Sequence, residues 1–80
     1  MWIFNTVKYS IVEKFVLSLW YNQKSQEWSH IKFVLNSLIL IIPKHKEISR
    51  WTLNNIFKII AFHFNLDKKL IENKFLEFLK

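Results

Sequence analysis

Eighty residues pass without a single glycine, and with one proline, Pro43. Glycine takes positive φ without steric penalty, and tight two-residue hairpin turns depend on that freedom. Asparagine can substitute, but a β-rich fold needs several such turns. The sequence therefore predicts an all-α fold. The apolar spacing points the same way, because large apolar residues recur every three or four positions, the period of a helix face.

Four helices in one domain spanning residues 1–80 are expected, as a compact bundle or orthogonal array. The first runs from about Ile3 to Tyr21, with Phe4, Val7, Ile11, Phe15 and Leu19 on its apolar stripe. Asn22-Gln23-Lys24-Ser25 reads as a polar link, with Ser25 as N-cap of the second helix. That helix runs from about Gln26 to Ile42 on a Trp28, Ile31, Leu35, Leu38, Ile42 stripe, and Pro43 closes it. The third spans about Glu47 to Phe64, with Thr52 as an alternative cap for a shorter version. Asn65-Leu66-Asp67 forms a tight corner, in which Asn65 takes the left-handed conformation and Asp67 caps the fourth helix, Lys68 to about Leu79.

Several chemistries are excluded or unsupported. Without cysteine there is no disulfide, thiolate zinc site or cysteine nucleophile. His30, His45 and His63 are too scattered for a metal pair, and His63, between Phe62 and Phe64, reads as half buried and hydrogen-bonded. No two carboxylates fall at a spacing that suggests an acid/base dyad, and a glycine-rich phosphate loop is impossible. No enzyme activity, cofactor or metal is expected. The longest uninterrupted apolar run, Leu38 to Ile42, is far short of the ~20 residues of a spanning helix. No transmembrane segment is expected, and Lys8 and Glu13 interrupt the first apolar stretch, so no signal peptide is read there.

The composition also reports on the gene. Lysine outnumbers arginine eleven to one, and isoleucine, phenylalanine and asparagine abound, all encoded by A/T-rich codons. Mutation bias explains that ratio more simply than selection. Four tryptophans sit oddly in such a chain, because the standard tryptophan codon is G-rich. A code that reads UGA as tryptophan, as many mitochondria use, would remove the oddity. The expected origin is an A/T-rich genome, and the expected location an organellar matrix, or a host cytoplasm if the gene is viral.

A formal charge of +6 favours an anionic partner, RNA or DNA contacted through phosphates. Two clusters are candidates. Lys44, His45, Lys46 and Arg50 surround the Pro43 link, with Trp51 beside them as a core residue or a stacking platform. Lys68, Lys69, Asn73 and Lys74 lie on the fourth helix. The corner before that helix has the spacing of a DNA-binding helix-turn-helix, with Ile60, Ala61, Phe64, Asn65, Leu66 and Ile71 around the turn. Lys74 departs from that pattern, where an apolar anchor is usual. Fourteen aromatic residues are more than a core of this size hides, so exposed aromatics, a protein partner and self-association are also expected. The leading reading is a small basic non-enzymatic subunit or accessory protein of a nucleic-acid machine, such as an organellar ribosome or a viral or phage replication or transcription complex. The alternatives are a protein-binding module acting through an exposed apolar helix face, such as a phage-encoded inhibitor or adaptor, and a peripheral subunit of a membrane complex.

Overall fold

The middle of the chain is a sheet. In the computed structural model, which describes residues 5–79, three helices and five strands form an α+β fold, not the expected helical bundle. Strand β1 (Thr6–Lys8) runs straight into helix α1 (Tyr9–Ser18). Strands β2 (Asn22–Glu27), β3 (His30–Leu35) and β4 (Leu38–Pro43) follow as an antiparallel meander in the order β2-β3-β4. Strand β5 (Glu47–Ser49) pairs antiparallel with β1 and leads directly into α2 (Arg50–Phe64), after which comes α3 (Lys68–Phe78).

The predicted second helix, Gln26 to Ile42, is overturned by a hairpin. Ile31 and Phe33 on β3, and Leu40 and Ile42 on β4, alternate with residues that face outward, and all four are fully buried. The pairs Ile31↔Ile42 and Phe33↔Leu40 place them on one face of the sheet. Positions 31, 35, 38 and 42 also fit a helical stripe, because a two-residue turn at Asn36-Ser37 reverses the chain midway. Ile31, Val34, Ile39, Ile41 and Ile42 are β-branched, which favours the extended reading. Trp28, placed on the predicted stripe, is 96% exposed in the β2–β3 turn. Ser25, predicted as a cap, lies within the edge strand β2 and pairs with Lys32.

Absence of glycine did not prevent the turns. Trp28 and Asn36, the first residues of the two hairpin loops, have φ of 56° and 57°, the sign that both primed hairpin turns demand at that position. Two helix ends repeat the pattern, with Trp20 at 78° and Asn65 at 56°. After α2 the Leu66 N–H donates to the Ala61 carbonyl at 2.9 Å, and the Asn65 N–H to Phe62 at 3.2 Å. That pairing is a Schellman ending, so the tight corner read from Asn65 is present. Asp67 stands at the N-cap of α3 but makes no side-chain cap bond.

The first and third predicted helices are each shortened by a strand. Residues 6–8 and 47–49 form the β1–β5 ribbon, and Ser49, not Thr52, caps α2 by accepting from the Thr52 N–H at 3.2 Å. The core lies between the inner face of the meander and the helices. Phe15 of α1 meets Phe75 edge-on at 5.1 Å, and Phe57 of α2 meets Phe75 at 5.3 Å. Such pairs add ~0.5–1.5 kcal/mol each beyond simple burial. Trp51 is 75% exposed, so it is no core residue. Among the described residues no helix is long and apolar enough to cross a membrane.

Candidate nucleic-acid interface

Antiparallel pairing of β1 with β5 sets Lys8 against Glu47, across 39 residues of sequence. The Tyr9 N–H donates to the Lys46 carbonyl at 3.1 Å, which pins the start of α1 to the β4–β5 connection. The Lys44 N–H in turn donates to the Ser29 carbonyl, so the same connection is tied to the β2–β3 turn. Between these segments lies an open cavity of about 410 Å³, lined by Lys8, Tyr9, Ser10, Lys44, His45 and Lys46. The three lysines are exposed, and none forms an ion pair among the described residues. Glu47, the nearest carboxylate in register, accepts a hydrogen bond from the Thr6 hydroxyl at 2.6 Å.

Tyr9 forms the floor. Its ring is buried, and its hydroxyl has no hydrogen-bond partner among the described residues. Burial, reinforced by the Glu13 carboxylate nearby, pushes its ionisation up to about 12. The ring is therefore neutral at physiological pH and adds no negative charge to the basic rim.

Arg50 belongs to a second cavity, about 360 Å³, lined with Trp51, Asn54 and Lys68. Here the structure joins one residue from each predicted cluster. Lys68 is already engaged, donating to the Asn54 carbonyl oxygen at 2.5 Å and pairing with Glu72 at 3.1 Å. Lys69 and Asn73 are exposed on α3, four residues apart and so on one helix face. Lys74 lines a different hollow, against Phe15, Ser18, Leu19, Glu77 and Phe78 at the α1–α3 contact. Lys44 and Lys46 thus share one groove, Arg50 and Lys68 another, and Lys74 stands apart. Lys8 is the groove residue that belongs to neither predicted cluster, since only the β1–β5 ribbon brings it there.

The outer face of the meander holds a further shallow hollow, lined by Ser25, Glu27, His30, Lys32, Ile39 and Ile41. Among the described residues no three histidine or acidic side chains gather to hold a metal ion. His63 is accounted for by the Tyr21 hydroxyl, 2.6 Å from its Nδ1. No family model, curated protein or solved structure matches the chain.

Proposed function

We propose that this chain binds the phosphate backbone of nucleic acid, as a small accessory protein of a nucleic-acid machine, through the groove between β1–α1 and the β4–β5 connection. The observation that carries this reading is the convergence of Lys8, Lys44 and Lys46, from segments far apart in sequence, around one open cavity free of ion pairs. Lysines on a loop and at a helix start grip phosphates without reading bases, so the contact is independent of sequence. Arg50, exposed at the first residue of α2, lines the separate cavity it shares with Lys68 and is not part of this contact.

Filter binding at low salt, with structured RNA and duplex DNA side by side, tests the reading. Replacing Lys8, Lys44 or Lys46 by alanine flattens the logarithmic salt dependence by about one unit each, whereas Lys74→Ala leaves it unchanged. Altered sequence preference on changing Asn73 would move the contact to α3 and support the helix-turn-helix instead. A denaturing gel of the same samples reads whether the RNA stays whole, and cleavage would overturn the non-enzymatic part of the reading. No binding to either nucleic acid at micromolar protein would leave the charge as a matter of solubility. The protein-binding alternative would then lead, on the outward Ile39 and Ile41 of β4, each about half exposed.

A further inference from the structure

Among the described residues four have positive φ, and they form two matched pairs. Asn65 and Trp20 each follow the last turn of a helix, where the left-handed conformation ends it. The Trp20 N–H donates to Leu17 at 3.2 Å, just as the Asn65 N–H donates to Phe62. Asn36 and Trp28 each open a two-residue hairpin loop. Asparagine suits these sites because its short polar side chain tolerates the left-handed region. Tryptophan does not, and a bulky side chain at positive φ is a genuine outlier. Glycine is the residue such sites select.

Nothing compensates the strain. The Trp20 and Trp28 side chains are 81% and 96% exposed, and Trp51 is 75% exposed. Among the described residues the core is filled by phenylalanine, tyrosine and aliphatic residues, with no tryptophan. Average proteins carry about 7% glycine, so a chain of 80 residues would hold about five or six. This one has none, and four tryptophans.

One cause explains the missing glycines, the surplus exposed indoles and their placement at glycine-demanding turns. The codon UGA is reassigned to tryptophan in some genetic codes and to glycine in others. We infer that Trp20 and Trp28 stand where the protein made in its own host carries glycine, through UGA codons that this host reads as glycine. The A/T-rich composition fits, because UGA would supply a glycine codon poorer in G and C than the standard four. The inference also alters the surface. Two exposed indoles vanish, which weakens the case for an aromatic protein-binding face.

Trypsin separates the two sites cleanly, into peptides 15–24 and 25–32, each with one tryptophan. The gene is sequenced, and the protein is isolated from its own host and digested. UGA at the two codons, and peptides lighter by the difference between tryptophan and glycine, are expected. Tryptophan in the peptides containing positions 20 and 28, or UGG at either codon, overturns the inference. An independent arm uses recombinant protein. The double variant Trp20→Gly/Trp28→Gly should melt at higher temperature than the tryptophan chain. Alanine at both sites removes the rings but keeps Cβ, and should recover less. Equal melting of the glycine and alanine variants would show that backbone sign is not what these sites demand, and would overturn the structural basis. Neither readout depends on nucleic-acid binding, so the two proposals fail separately.

Discussion

A buried tyrosine, Tyr21, meets the half-buried His63 at 2.6 Å. Burial pushes the tyrosine up to about 12 and holds the imidazole below its ordinary 6.5. At neutral pH both partners are therefore uncharged, and the Tyr21 hydroxyl and His63 Nδ1 share one hydrogen bond at 2.6 Å. As pH falls, the unfolded chain takes up the histidine proton before the folded one does. The pair's contribution is thus present above about 6.5 and is lost as pH drops through the lowered value. Urea midpoints should be level near pH 7 to 8 and decline below about 6.5, and His63→Gln should remove that part of the decline. Tyr21→Phe should reduce stability by about 1 kcal/mol at pH 7.5, the usual net worth of one hydrogen bond. At the alkaline end the sign reverses. Tyr9 and Tyr21 ionise later in the fold than in the open chain, so stability falls as pH rises from 10 through about 12. Asn65 offers a backbone test at the same scale. Asn65→Ala places a Cβ in the left-handed region without the polar side chain, and should lower stability by about 1 kcal/mol, read from the same denaturant curves.

At the scale of elements, the meander carries the sharpest contrast. Phe33 is fully buried on the inner face, whereas Ile39 faces outward and is about half exposed. Phe33→Ala should reduce stability by about 3–5 kcal/mol, and Ile39→Ala by under about 1 kcal/mol, measured by urea unfolding. A helix through this segment would have buried both Leu35 and Leu38 deeply; both are only partly covered, beside the turn. The same segment shows why the fold was only half legible. Helix α3 could be read because Ile71 and Phe75 bury one face while Lys69, Asn73 and Glu77 stay out. Strand β2 could not, because all six of its residues are polar and exposed, and nothing in NQKSQE marks an inner face. It is ordered by β3 alone. The register shift between Gln23 and Ser25 leaves Lys24 as an extra residue, and a bulge with a lysine is a common guard against pairing with a second chain. Strands β1 and β5 are three residues each, too short for a period to show. That is also why half of the candidate groove was missed. Lys44 and Lys46 are visible as a basic loop after Pro43, but Lys8 joins them only through a pairing that no local pattern announces.

For the whole molecule, the question is whether a net charge of +6 acts as a diffuse cloud or through one place. Twelve lysine and arginine residues oppose six carboxylates, and the one ion pair among the described residues, Lys68 with Glu72, takes a cation away from the α3 cluster. The cations without such a partner that share a cavity are Lys8, Lys44 and Lys46. Each phosphate neutralised contributes about 0.9 to the salt slope on duplex DNA and about 0.7 on a single strand. Three contacts therefore give a slope of about −2.7 on a duplex and about −2 on a single strand, by the same rule. Triple replacement of the groove lysines should bring both slopes close to zero. A diffuse contact behaves differently: its slope is steeper, near −5 or beyond, and every exposed lysine, Lys74 included, removes a similar small share. Titrations at four or five salt concentrations, with the groove triple variant beside Lys74→Ala, distinguish the two. A steep slope that responds equally to both variants would mean that the groove is not the binding place, however well the β1–β5 ribbon assembles it.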